Sequence, residues 1–123
     1  MENNIIDKKC IILCGRQNSC AVNNIKKIID FLNADLFLVY ENDTYNYSNH
    51  KNIKGKIKVK NYPNRTRVEN QFLKIKEGWI LMEKYEQKNN FKYKSVFRLR
   101  GDINYSIDES IDLKMEDNYV RFK

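Results

Sequence analysis

Between residues 95 and 104 the chain reads Ser-Val-Phe-Arg-Leu-Arg-Gly-Asp-Ile-Asn, an apolar alternation that runs into two arginines and an aspartate. In an extended strand Val96, Arg98 and Arg100 share one face and Phe97 and Leu99 the other, with Asp102 following Gly101 at the strand's end. Forked guanidinium donors suit phosphate oxygens, and a hard carboxylate suits a divalent ion such as Mg²⁺ or Mn²⁺, so this string has the parts of a polyphosphate site. In α/β sheets ligands gather outside the carboxyl ends of strands, which is where these residues would lie. An ordinary surface strand with charges on its wet face shows the same alternation. If a helix covers that face instead, the arginines are expected to pair with carboxylates such as Glu83 or Glu86.

Positioning such a site requires a sheet. Lys9 to Cys14 is a short apolar run of the kind found in strands covered on both faces, and it stops at Gly15. Asn18 or Ser19 can cap a helix whose apolar positions Val22, Ile25, Ile28, Ile29 and Leu32 recur at helical spacing. Asp35 to Tyr40 is a second buried strand, so the chain opens with a right-handed strand–helix–strand unit with parallel strands. A parallel sheet brings strand ends to one edge, and Gly15 and Arg16 are therefore expected to meet Arg98, Arg100 and Asp102 in one anion-binding cleft.

From Glu41 to Tyr62 the pattern weakens. Lys56 to Lys60 alternates with period two, as in an exposed or edge strand whose lysines discourage stray pairing. Between Thr44 and Val68 there is no acidic residue, while Lys51, Lys54, Lys56, Lys58, Lys60, Arg65 and Arg67 are all cationic. They form either a solvated edge or the basic rim of an anion site. Thr66 and Glu69 then have the spacing of a capping box, and Val68, Phe72, Ile75, Trp79 and Met82, widened by Leu73 and Ile80, form an apolar stripe. Trp79 is expected in the core. Residues 107–115 suggest a weak helix or turn and 118–122 a last strand.

The resulting fold class is α/β, a single domain over 1–123 built as a three-layer sandwich with a mainly parallel central sheet. A formal net charge of +7 favours an anionic partner, although the Lys-, Asn- and Ile-rich bias of the whole chain accounts for part of it. Cys10, Cys14 and Cys20 do not have zinc-ligand spacing; their odd count suits a reducing compartment, Cys10 and Cys14 suit small apolar packing in a buried strand, and a soluble cytoplasmic protein without a membrane span is expected. The lone His50 reads as a loop residue, and triad hydrolysis is not expected. A nucleic-acid module would use the 51–67 cations against phosphates and Tyr45, Tyr47 and Tyr62 as stacking platforms, but no RNA-binding signature accompanies them.

The string from Gln71 to Glu86, followed by Phe91 to Asp102, resembles a group of glycosyltransferases from bacteria and large DNA viruses. In that group a similar helix precedes a strand ending in Arg-x-Arg-Pro-Asp, and the first strand ends in a Gly-Arg or Gly-Gln pair, here Gly15-Arg16. The resemblance covers residues 9–105 and implies half of a GT-A-like, nucleotide-diphospho-sugar transferase sheet. It would bind a nucleotide sugar through Gly15, Arg16, Arg98 and Arg100, with Asp102 at the metal-binding carboxylate; since Asp102 alone is a poor metal site, the chemistry asks for a further ligand from Asp108, Glu109 or the substrate phosphates. Gly101 stands where the group has proline, which implies a looser turn. The group continues into a half that binds the glycan acceptor, whereas this chain stops at Lys123, so donor binding without transfer is the expectation. A degenerate paralogue that keeps only the sheet is the remaining alternative.

Overall fold

The computed structural model describes residues 4–15, 17–103 and 105. Four strands, β1 (Asn4–Cys14), β2 (Asp35–Tyr40), β3 (Ile53–Lys58) and β4 (Phe91–Arg100), form one sheet in the order β3-β2-β1-β4. Every pairing is parallel, and the register sets Ile12 between Phe37 of β2 and Arg98 of β4. The three expected parallel strands are present, and β1 begins earlier than the apolar run, with a register shift against β4 between Ile6 and Lys9. Residues 107–122 and Arg16 lie outside the described residues, as do Asp108 and Glu109.

Because side chains alternate along a strand, each strand contributes to two cores. Ile11, Leu13, Leu36 and Leu38 pack with Ile25, Ile28 and Ile29 of helix α1 (Val22–Leu32) on one face. Cys10, Ile12, Cys14, Phe37 and Val39 pack with Met82 of helix α2 (Arg67–Asn89) on the other. The molecule is thus a helix–sheet–helix sandwich of three layers. The chain winds outward from β1 through β2 to β3, then returns through α2 to place β4 on the far side of β1, and the winding reverses between β1 and β4.

The helix ends follow the local chemistry. Asn18 accepts a hydrogen bond from the Cys20 amide and opens a 3-10 turn over Ser19–Ala21, so α1 proper starts three residues after the expected cap. Thr66 and Glu69 form the complete capping box of α2, and α1 and α2 both end on left-handed asparagines, Asn33 and Asn90.

The face of α2 departs from the expected stripe. Its line of closest approach to the sheet is Asn70, Lys74, Gly78, Met82 and Glu86, while Val68 and Phe72 are 59% and 57% exposed. Ile75, Trp79, Leu81 and Tyr85 flank that line and pack partly against the core. Gly78 explains the rotation: a Cβ there would overlap Ile12 Cγ2 and crowd Val39, so only glycine lets the helix axis come this near the sheet. The edge strand also departs, running over Ile53–Lys58 and not 56–60, with Gly55 against Leu81. In the stretch between β2 and β3, Tyr47 is fully buried in a 3-10 turn, and His50 accepts from the Asn52 amide while its Nε2 meets Asp30 at 3.2 Å. Among the described residues no helix is long and apolar enough to cross a membrane.

Candidate functional site

The carboxyl ends of β1 and β4 carry the residues singled out by their chemistry, and they are tied together by backbone. The Asn18 amide, on the loop after β1, donates to the Gly101 carbonyl after β4 at 3.0 Å. Gly15 holds φ at +92°, a conformation that costs a residue with Cβ about 1–2 kcal/mol and turns the chain sharply off the strand. The Gln17 side chain donates back to the Gly15 carbonyl and fills the space where a Cβ on Gly101 would stand. The Gly101 turn is therefore tightly packed under Gln17, not loosened by the lack of proline.

Beside this junction lies a cleft of about 480 Å³ whose wall includes Gly15, Arg100, Asp102, Glu41, Arg67 and Lys74. Arg67 and Lys74 come from the first turns of α2, and Glu41 from the end of β2. Asn70, also on the wall, fixes that end of the helix: its Oδ1 accepts from the Tyr62 amide and its Nδ2 donates to the Tyr62 carbonyl. A second pocket of about 250 Å³ shares Glu41 and adds Gln17, Asn42, Asp43 and Tyr45. One end of the combined hollow is cationic and the other is carboxylate- and amide-rich.

Two ion pairs balance the cleft internally. Lys74 Nζ meets Glu41 Oε2 at 2.8 Å, and Arg100 Nη2 donates to Asp102 Oδ2 at 2.9 Å. Arg67 adds a further cation to the wall. The Arg100 amide donates to the Tyr105 hydroxyl, and Tyr105 is held in turn by a two-way bond with Asn24 of α1, so β4 enters its final turn in a fixed direction. Several polar atoms of this junction are buried without a hydrogen-bond partner: Arg100 Nε, Asp102 Oδ1, Gln17 Oε1, and Arg98 Nε and Nη2. Buried polar groups are nearly always satisfied, so a group of such atoms at one strand junction is unusual.

Of the five residues expected to converge, the structure brings Gly15, Arg100 and Asp102 onto one wall. Arg98 shares the face of Arg100, as alternation requires, but sits one pleat deeper beside Cys14 and is not part of the wall. Arg16 lies outside the described residues. That strand face is covered by α2, yet neither Glu83 nor Glu86 serves the arginines: Arg98 bonds the Cys14 side chain, Arg100 bonds Asp102, and Glu86 accepts from the Tyr93 amide. Burial pushes the Cys14 thiol up, outweighing the Arg98 hydrogen bond that would favour the thiolate, so Cys14 remains protonated and packs as a small apolar group. Cys10 is likewise buried and pushed up by burial, and Cys20 is exposed; all three are free.

Sequence reasoning missed Glu41 and Lys74. Glu41 ends an apolar strand and Lys74 falls on the sheet-facing line of a helix, positions whose only sequence signal is a charge where the period asks for an apolar residue. Among the described residues no group of three His, Cys, Asp or Glu side chains gathers as a metal cluster. Of the three expected stacking platforms, Tyr47 is sealed in the core and Tyr45 is partly buried against it, while Tyr62 is an exposed ring beside Arg65.

In comparison with known proteins, the chain matches no family model, no curated protein and no solved structure.

Proposed function

We propose that this chain binds the diphosphate of a nucleotide sugar in the cleft at the carboxyl ends of β1 and β4, as a glycosyltransferase-like donor site. One observation carries the reading: Arg100 and Asp102 each have a buried polar atom without a partner, and both line a cleft at the point where the winding of a parallel sheet reverses. Such switch points are the usual ligand sites of open α/β sheets.

The residues present fit the chemistry of that ligand. Arg100 offers a guanidinium fork and Arg67 a second cation for phosphate oxygens. Asp102 Oδ1 and the Glu41 carboxylate are hard oxygen donors, and Asp102 is the residue that would hold a Mg²⁺ or Mn²⁺. When bound, such an ion neutralises charge on a departing diphosphate. Arg98, below the cleft floor, adds positive potential without touching the wall. At the other end Glu41, Asn42 and Asp43 supply acceptors for the hydroxyls of a ribose or sugar.

A thermal-shift titration with a nucleoside diphosphate, with and without Mn²⁺, tests this. The expected result is a rise in Tm that is larger with the metal. Asp102→Ala removes the metal-dependent part and Arg100→Ala weakens both parts, while the unliganded Tm of each variant stays near that of the parent. Absence of any shift at millimolar ligand sinks the proposal. Release of nucleoside diphosphate from a nucleotide sugar, with and without a glycan acceptor, reads turnover separately from binding.

A further inference from the structure

Three hollows adjoin one another along the carboxyl edge of the sheet. Glu41 belongs to both the central cleft and the pocket of Gln17, Asn42 and Asp43, and Lys74 belongs to both the central cleft and a third hollow of about 490 Å³ beside the end of β3. The ends of β4 and β3 are three inter-strand spacings apart, about 14 Å, so a ligand anchored at Arg100 reaches the third hollow only if it extends beyond a diphosphate. A nucleotide sugar has its charged group between two different ends, a flat base and a polyhydroxylated ring.

The two outer hollows differ in the same sense. Carboxylate and amide side chains dominate the pocket of Asn42 and Asp43, which suits hydroxyl groups. The hollow at β3 combines the apolar surfaces of Val59, Leu73 and the Tyr62 ring with the charges of Lys58, Lys60 and Glu77. Apolar walls with a few polar groups to fix orientation are the usual make-up of a small-molecule site. Tyr62 is 47% exposed, and Arg65, which stands over its ring at 6.0 Å, is not on the wall of the hollow. Asn70 bonds both the amide and the carbonyl of Tyr62 and also lines the central cleft, so the ring is held in position relative to the diphosphate site before any ligand arrives.

Resting on the reading of the central cleft as a diphosphate site, we infer that the hollow of Val59, Tyr62 and Leu73 takes the base of the nucleotide and that the base is guanine. The transferred sugar then points the other way, to Asn42 and Asp43. Tyr62 and Leu73 give a base apolar surface to lie against, which any base accepts. Glu77 and the lysines supply the selection. A carboxylate only accepts, and guanine presents its N1–H and N2 amine side by side, where two carboxylate oxygens can take both. Its O6 and N7 are acceptors for an ammonium group. Uracil sets one N–H between two carbonyl oxygens that a carboxylate repels, and adenine offers a carboxylate only its exocyclic amine.

The test is calorimetric titration of the full chain with GDP, UDP, ADP, inorganic pyrophosphate and farnesyl diphosphate. GDP is expected to bind at least tenfold more tightly than each of the others. Glu77→Gln and Tyr62→Ala should each shrink the ratio of GDP to pyrophosphate affinity about tenfold, and Glu77→Gln should also narrow the gap between GDP and UDP. The Tyr62 ring is half exposed and the glutamine is nearly isosteric with Glu77, so both variants are expected to fold. Equal binding of GDP and pyrophosphate would place the base outside the hollow and overturn the inference while leaving the diphosphate cleft standing. Tighter binding of UDP or ADP would overturn the choice of guanine, and farnesyl diphosphate binding as well as GDP would make the hollow a general apolar slot. Failure of all five compounds to bind would overturn the diphosphate reading and this inference together.

Discussion

Lys74 and Glu41 meet at 2.8 Å across the mouth of the cleft, joining the sheet-facing line of α2 to the carboxyl end of β2. Lys74 is nearly buried, and its partner is about one-third exposed. Breaking a fully buried pair costs about 3–5 kcal/mol and an exposed pair about 0–1. Lys74→Met is therefore expected to cost roughly 1–3 kcal/mol, measured by denaturant unfolding, because Glu41 is left beside apolar surface without a counter-charge. Glu41→Gln should cost less, since the ammonium of Lys74 can still donate to the amide oxygen.

Gly78→Ala should destabilise despite improving helix propensity. The gain from replacing a helical glycine is about 1 kcal/mol, but the new methyl group would overlap the rigid β-branched side chain of Ile12 in the central strand. Overpacking of this sort costs about 1–3 kcal/mol. A lower Tm for Gly78→Ala, and a still lower one for Gly78→Val, is the expected outcome; a raised Tm would mean that the helix can lift off the sheet at little cost.

Met82 and Phe72 separate the true face of α2 from the stripe that spacing alone suggests. Met82 is 1% exposed and should lose about 2–5 kcal/mol on truncation to Ala. Phe72→Ala should change stability by about 0.5 kcal/mol or less. Comparable losses at both positions would argue for a different helix orientation.

Two carboxylates of α2 give opposite pH signatures. Burial raises Glu86 above the ordinary carboxylate range, against the hydrogen bond from the Tyr93 amide and the charge of Lys92, with Glu83 adding to the rise. Its contribution is fully present below the unfolded value and is lost as pH rises through the folded one. Glu86→Gln, whose oxygen still accepts from Tyr93, should flatten that part of a Tm-against-pH curve. Glu69 is held low by the Thr66 backbone and side-chain hydrogen bonds, so its contribution is present above the unfolded value and fades as pH falls through the folded one. Glu69→Gln should remove that acid-side loss.

The buried strands were legible in the sequence because a strand covered on both faces must be apolar at consecutive positions, which Cys10–Leu13 and Asp35–Val39 nearly are. The capping box was legible because its two hydrogen bonds are made within four residues. Parallel pairing followed from the helix between the first two strands, which is long enough for a crossover and too long for a hairpin turn. Arg100 and Asp102 were legible as neighbours of Gly15 once the sheet was parallel, since strand ends then share an edge.

The sequence by itself thus determined the three buried strands, the two helices, the Thr66 capping box and the edge of the sheet at which Gly15, Arg100 and Asp102 meet, all of which depend on short-range spacing. Only the tertiary structure decided which line of α2 touches the sheet, because that choice rests on the absence of a side chain at Gly78 and on the shape of Ile12, residues 66 positions apart. That rotation exposes Val68 and Phe72 and turns Lys74 inward to Glu41. It also brings Arg67 and Lys74 onto the cleft while leaving Arg98 beneath its floor. Burial of a charge depends on whether a partner from another element arrives, and no local pattern encodes that arrival.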